Sequence, residues 1–393
     1  MGFILMLRDE EVAHISIKNG SLVVKEIFDY DRLPIHAQYA VDKEEALNEY
    51  FMERTIPSVR RRYSDVLSLG QVNSGLELAI RDRLLSLNDQ FWIRKPKEEI
   101  HWEEVNFFDN EYSYEVGNYM LSLEDSIENF ITPDLTTGGN QPKSWRKVNG
   151  ENYLFKSGKE PYAQEPYNEV FVSQIAKDIC KCKVVEYKHC HINGLKGCRS
   201  MSFLNEHTSL VTAADVFATK EKLPNLDNYE HLCSCCKRLG IKGYRQFIDA
   251  MIAFDYVIRN SDRHLGNFGF LYDTRSLKFI GPAPLYDNGT SLWSECDEEA
   301  IKSTAEEEAK PFFLSHDEQI GLINDVEHVI NLSALKALKG KLAEHFKGYD
   351  DKRTEVLSKN FDQRIDLVGE KLAEMQIESK KEKRNIKEVG MSR

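Results

Sequence analysis

From Tyr244 to Asn260 the chain is apolar on most faces, through Phe247, Ile248, Met251, Ile252, Phe254, Val257 and Ile258. A helix with so wide an apolar surface is stable only when protein surrounds it, so the segment predicts a core helix inside a sizeable domain. The chain then turns polar at once, in Asn260-Ser261-Asp262-Arg263-His264-Leu265-Gly266-Asn267. A rigid base thus delivers a loop whose acid, Asp262, and amide, Asn267, stand five positions apart. Next, Asn267 to Tyr272 and Leu277 to Ile280, joined by Asp273-Thr274-Arg275-Ser276, predict a β-hairpin that ends at Gly281-Pro282. A second acid, Asp287, sits in Pro284-Leu285-Tyr286-Asp287-Asn288-Gly289, twenty-five positions after the first, so a single hairpin can fold both acids into one site.

With 393 residues the chain is long enough for two domains. Its 41% hydrophobic and 30% charged residues are ordinary for a folded globular protein. A formal net charge of −12 disfavours broad, sequence-independent nucleic-acid binding, which needs a basic surface. No apolar run reaches the roughly 18 residues of a membrane span, and Met1 to Leu7 is cut off by Arg8 and Asp9 and lacks a signal-peptide pattern, so the expected compartment is the cytoplasm. The eight cysteines include one group at Cys180, Cys182, Cys190 and Cys198, interleaved with His189 and His191, and another at Cys233, Cys235 and Cys236. Neither has paired C-x-x-C spacing, and both read as reduced thiols rather than metal ligands.

Residues 1–130 predict a mixed α and β domain. The strand-like segments His14 to Lys18 and Ser21 to Ile27 flank Asn19-Gly20, a hairpin dipeptide. Lys43 to Met52 and Gly75 to Leu87 carry apolar residues at helical spacing. Arg60-Arg61-Arg62 reads as a solvated face, as short basic runs usually are. Trp102, Phe107, Phe108, Tyr112 and Tyr114 suggest strands or a surface that packs on the next domain. The boundary is expected just before Thr136-Thr137-Gly138-Gly139-Asn140, a turn-rich loop followed by a strand from Asn152 to Lys156 and a helix that opens at Pro166. Strands are expected at Lys183 to His189 and Arg199 to Leu204, and helices at Glu318 to Ile330, Leu332 to Phe346 and Arg353 to Met375, before a charged, frayed tail.

Phosphoryl transfer requires a carboxylate near the attacking hydroxyl, oxygen ligands for magnesium and cations on the phosphates. Asp262 suits the first role, Asn267 and Asp287 the second, since magnesium takes one or two carboxylates and leaves its other positions to phosphate and water. Lys156, closing a strand, and Glu169, in the first turn of the next helix, match the lysine–glutamate pair that holds ATP phosphates in kinases. Gly138 and Gly139 offer backbone amides with no side chain in the way. Taken singly, these features are bland: Asp262 a helix-end acceptor, Lys156 and Glu169 a surface ion pair, the glycines a turn. Their order along the chain is what specifies the chemistry. His264 is expected to fix the loop and to assist catalysis.

The stretch from about Pro133 to Met375 resembles the HipA-like serine/threonine kinases, which share a fold with the phosphatidylinositol kinases. The resemblance rests on Thr137-Gly138-Gly139-Asn140-Gln141-Pro142-Lys143, Phe155-Lys156, Asn168-Glu169, the Asp262-x-His264-x-x-Asn267 loop and Tyr286-Asp287. It implies a catalytic Asp262, magnesium on Asn267 and Asp287, an ATP lysine at Lys156, and a hinge that contacts adenine near Met201-Ser202-Phe203. In that family a serine of the nucleotide loop can be autophosphorylated, switching the enzyme off; here the neighbouring hydroxyls are Thr136, Thr137 and Ser144, and the choice stays open. The implied fold is α+β and two-lobed like a protein kinase, with a β-rich lobe over residues 131–205, a helical lobe over 206–375, the extra N-terminal domain over 1–130 and a tail over 376–393. The implied partners are ATP, Mg2+, a protein Ser/Thr hydroxyl and a protein contacting residues 1–130, in a toxin–antitoxin-like setting. A lipid kinase, a kinase-fold binding module and an AMP transferase are the competing functions.

Overall fold

The computed structural model describes residues 2–18, 21–303, 308–323 and 328–391, with side chains described to residue 378. Its sheets are antiparallel throughout. Strands β1 (Gly2–Leu7), β2 (Glu10–Lys18), β3 (Ser21–Ile27) and β4 (Phe91–Arg94) form a sheet in the order β3-β2-β1-β4. β2 and β3 pair from Lys18↔Ser21 outward, the register expected of a tight hairpin, although Asn19-Gly20 lie outside the described residues. The helix Lys43–Glu53 lies against this sheet, its start fixed by Asp42, whose side chain accepts from the amides of Glu44 and Glu45. The apolar pattern after Gly75 forms a helix only to Arg81, because Arg83 and Leu84 turn left-handed.

The aromatic run does not form strands. Trp102, Phe107, Phe108 and Tyr112 are buried with Trp145, against which Leu154 also packs, so they join the first region to the sheet that comes next in the chain. Each such ring contributes about 1.5–3 kcal/mol when taken out of water. The chain between the regions is no exposed linker: the Thr132 amide donates to Asp82, and the Thr136 hydroxyl to the Leu85 carbonyl. The Arg60 side chain is also buried, contrary to the solvated face expected of the basic run, because backbone carbonyls far along the chain surround its guanidinium.

The second sheet, β5-β6-β8-β7, comprises β5 (Lys143–Val148), β6 (Glu151–Ser157), β7 (Lys188–Ile192) and β8 (Leu195–Met201). β5 carries no clear alternation in sequence and was not expected as a strand. The strand expected at Lys183 to His189 forms only at its end, since Val184 bridges Leu285 in parallel instead. The helix Glu165–Ile179 packs against this sheet. A third sheet, β11-β10-β9, contains β9 (Thr208–Thr212) and the expected hairpin, β10 (Gly269–Asp273) and β11 (Lys278–Pro282).

The helix Tyr244–Ile258 runs through the largest core, with Phe247 to Ile258 buried along its length. Arg259 ends it by turning left-handed, and the Asn260 amide bonds back to the Asp255 carbonyl, which releases the chain into the Asp262 loop. Further on, the helix expected from Glu318 is a short one, His316–Ile320, stopped at Gly321, and residues 324–327 of that expectation lie outside the described ones. The expected Leu332 to Phe346 helix is broken at Gly340, whose φ of +77° is left-handed. The last helix, Asp351–Met391, continues through the charged segment expected to fray. No described helix is long and apolar enough to cross a membrane.

Candidate active site

Lys156, near the end of β6, is almost wholly buried, and its ammonium lies 2.5 Å from Glu169 Oε1 and 2.7 Å from Asp287 Oδ1. Each partner comes from a different element. Glu169 projects from the first turns of the Glu165–Ile179 helix, where Pro166 is tolerated because its missing N–H would have no helical partner. Asp287 lies beyond the third sheet at a φ of +59°. The neighbouring Asn168 holds that turn, its amide nitrogen donating to the Gly289 and Ser291 carbonyls at 2.8 and 2.7 Å. Glu169 Oε2 accepts from the Asn288 amide at 3.0 Å.

Two acids around one lysine, Glu169 fully buried and Asp287 partly exposed, set the local electrostatics. Burial would lower the Lys156 ammonium, but Asp287 and Glu169 overrule it and hold it charged, well above its ordinary value. Burial likewise works against the Asp287 carboxylate, yet Lys156 and Lys143 keep it well below the usual range. Lys143 stands directly across the β5–β6 pair from Lys156 and is equally buried. Burial pushes its ammonium down to about 7, with Asp287 opposing and Lys156 adding to the shift. Like charges facing each other across a sheet are unfavourable unless anions lie between them.

The loop after the core helix is organised by Arg263, fully buried and bidentate to Asp255 at 3.0 Å on both bonds. The same guanidinium donates to the Asn267 carbonyl at 3.0 Å, the Tyr286 carbonyl at 2.6 Å and the Asn288 side chain. One side chain thus ties the Asp262–Asn267 loop to the turn that carries Asp287. Asn267 Nδ2 donates to the Asp262 carbonyl at 3.1 Å, and Tyr286 Oη to the Gly266 carbonyl at 2.9 Å. His264 accepts the Gly266 amide on Nδ1 at 3.1 Å, and burial keeps its ring below its ordinary pKa, hence neutral at pH 7.

Asp262 faces outward from this network. Its carboxylate is half-exposed and pairs with Lys310 Nζ at 2.7 Å. Lys310 is brought there by a parallel bridge to Asp262, in which its amide donates to the Ser261 carbonyl at 3.0 Å. The strand residues Tyr153 and Met201, with Ser173 of the Glu165–Ile179 helix and Val184, Ser202, Phe203 and Pro284, line a cavity of about 590 Å3, within the range of small-molecule sites. The Ser202 amide is already committed to the Asn152 carbonyl at 2.8 Å, so it offers no donor to a ligand.

Gly138 and Gly139 lie in an exposed loop just before β5. Gly139 has a φ of +82°, a left-handed conformation that calls for glycine, and a Cβ there would lie 2.7 Å from Lys143 Nζ. The hydroxyls of Thr136, Thr137 and Ser144 are buried, donating respectively to the Leu85 carbonyl, the Pro133 carbonyl and Asp134. All eight cysteines are free thiols, and the described residues contain no cluster of three or more His, Cys, Asp and Glu placed to hold a metal.

Sequence reasoning named Lys156, Glu169, Asp262, His264, Asn267 and Asp287, saw Asn288 only as a turn residue behind Asp287 and Arg263 only as part of a motif, and gave no role to Lys143, Arg60 or Lys310. Lys143 had a readable signal, its place in the glycine-containing segment. The partners of the others lie tens of residues away, where no local pattern reports them.

Comparison with known proteins puts this geometry in context. No curated protein matches the chain. Among solved structures it is similar to a chain of the Shewanella oneidensis MR-1 toxin–antitoxin system HipA, HipB and its operator DNA complex, at 14% identity and a TM-score of 0.50, covering 95% of this chain and 91% of that one. It is also similar to the Helicobacter pylori proinflammatory kinase CtkA, at 20% identity and a TM-score of 0.48, over 61% of this chain and 93% of that one. The model of the HipA-like C-terminal domain matches residues 135–339, just over half of the chain and all of the lysine and Asp262-loop elements, and the chain therefore belongs to the HipA-like family.

Proposed function

We propose that the chain is an ATP- and magnesium-dependent kinase that phosphorylates a protein serine or threonine hydroxyl. The observation that carries this reading is Lys156, buried between Glu169 and Asp287 and linked through Arg263 to the Asp262–Asn267 loop. In this reading residues 131–205 and 206–375 are the two lobes, residues 1–130 a further domain that contacts a protein partner, 376–393 a tail, and the compartment cytoplasmic.

Lys156 and Lys143 bind phosphate oxygens, and an anion between them relieves their mutual repulsion. Adenine occupies the cavity lined by Met201, Ser202 and Phe203, with the glycines of the 138–139 loop covering the phosphates. The oxygen donors of Asn267 and Asp287 suit magnesium, because Lys156 occupies one Asp287 oxygen and Asn267 turns its nitrogen to the Asp262 carbonyl, leaving an oxygen on each for the ion. Bound there, magnesium supplies charge neutralisation on the phosphates. Asp262, half-exposed at the edge of the site, orients the attacking hydroxyl and takes its proton, while neutral His264 keeps the loop in shape.

A lipid substrate calls for a basic surface, and the basic run at 60–62 does not supply one, since Arg60 is turned inward and Arg62 donates to the Tyr119 and Glu124 carbonyls. The likeness to a HipA chain crystallised with HipB and DNA supports a toxin–antitoxin-like setting. Intact mass after incubation with magnesium and ATP tests the proposal: phosphate is expected on wild type and none on Asp262→Asn. An adenylyl adduct would mean AMP transfer. No adduct on any acceptor, with no rise in melting temperature on adding magnesium-ATP, would mean a binding module.

A further inference from the structure

We propose that Arg60 is a positioning residue for the nucleotide loop, so that residues 1–130 set how this enzyme holds ATP; the inference rests on the kinase reading. Arg60 lies outside the matched family domain, seventy-seven residues before the first of its partners. Its guanidinium lies within hydrogen-bonding distance of three consecutive carbonyls, which share its donors: Nη2 is 2.7 Å from Thr137, 2.7 Å from Gly138 and 2.5 Å from Gly139, and Nε donates to Gly139 at 3.1 Å.

The geometry of the peptide bond then dictates where the amides point. In a trans peptide the C=O and the next N–H lie in opposite directions. With the carbonyls of residues 137, 138 and 139 turned onto Arg60, the amides of Gly138, Gly139 and Asn140 point away from it. Among the described residues no protein group accepts from these three amides. They form a row of donors on the open side of the loop, where Gly139 also meets Lys143 Nζ. A cation behind the carbonyls also polarises each peptide so that its amide becomes a better donor to an anion.

Arg60 itself is firmly placed. Its amide donates to the Pro57 carbonyl and its carbonyl accepts from the Tyr63 amide, at the turn into the helix Tyr63–Leu69. The root of the loop is anchored separately, through Thr136 to Leu85 and through Trp145 Nε1 to the Thr137 hydroxyl at 3.0 Å. Removing the guanidinium therefore frees the loop tip while leaving its root attached.

The test compares Arg60→Ala, Arg60→Lys and, as a control in the same region, Arg62→Ala. In a steady-state assay Arg60→Ala is expected to raise KM for ATP about tenfold with kcat changed about threefold or less. Arg60→Lys, which keeps the charge but not the fork, should fall between, and Arg62→Ala should match wild type. An unchanged KM in Arg60→Ala overturns the proposal. If Arg60→Ala gives no cooperative unfolding transition, Arg60→Lys decides by the same criterion. Backbone 15N order parameters of residues 138–140 without nucleotide separate this claim from the kinase reading: lower values in the Arg60 variants support loop positioning even if wild type transfers no phosphate, and equal values overturn it.

Discussion

The two ends of the proposed reaction path are built differently. On the nucleotide side, Lys156 is buried between Glu169 and Asp287, with Lys143 facing it across the sheet, whereas on the acceptor side Asp262 meets one half-exposed lysine. Buried ion pairs are costly to assemble and more costly to break, so the nucleotide side is set before ATP arrives. An exposed pair contributes little and is easily exchanged for another partner, which leaves Asp262 ready to accept an incoming hydroxyl. On the proposed reading, the contrast teaches that preorganisation is concentrated where the ligand is always the same, and withheld where a macromolecule enters.

The sharpest way to break the contrast is to remove one side at a time. Asp262→Asn should lower phosphate transfer by about 10²–10⁴-fold while keeping the rise in melting temperature that magnesium-ATP produces; loss of that rise would show that the two sides are not separable. Lys156→Met should act on the other side, taking from Glu169 and Asp287 the ammonium that they share and leaving Lys143 and Arg263 as the remaining cations. It is expected to destabilise the protein by about 3–5 kcal/mol in denaturant unfolding and to abolish the nucleotide-induced shift.

Lys143 sharpens the comparison through pH. Its folded pKa of about 7 lies below the ordinary 10.5, so between those values the unfolded chain binds more protons than the folded one. Stability should therefore rise with pH through that window, and the cost of keeping the charge buried is fully present below it. Lys143→Met should remove that cost, stabilising the nucleotide-free protein at pH 7 by at most roughly 5 kcal/mol while weakening ATP binding. Wild-type affinity for ATP should fall as pH rises above 7, and a flat profile identical to that of Lys143→Met would exclude Lys143 from phosphate binding. The smallest effect is expected from Lys310→Ala, within about 0.5 kcal/mol of wild type in unfolding, because both partners of its ion pair are exposed to solvent. A larger loss would mean that the acceptor side is as rigid as the other.

Several parts of this architecture were legible beforehand. The Tyr244–Ile258 helix, the hairpin of β10 and β11, the Glu165–Ile179 helix and the β2–β3 pair all carry strong local periodicity or turn chemistry, and each appears near its expected place. β5 was missed because Lys143-Ser144-Trp145-Arg146-Lys147 lacks alternation; its register is imposed by pairing with β6. The aromatic run after Trp102 was read correctly as a packing surface and incorrectly as strands, since burial of rings does not require an extended backbone. Arg60 was misread outright, because three adjacent basic residues look alike until the fold turns one of them inward.

By itself, the sequence determined which groups the site can contain: acids, an amide, a lysine and glycines in an order set by local spacing, each delivered by a helix or strand whose own pattern forms it. Only the tertiary structure decided which charges face one another, since Lys156 meets Asp287 across 131 residues and Arg60 reaches Gly139 across 79. Those distances are bridged by packing that no local pattern encodes, and there burial turns ordinary side chains into a preorganised electrostatic site.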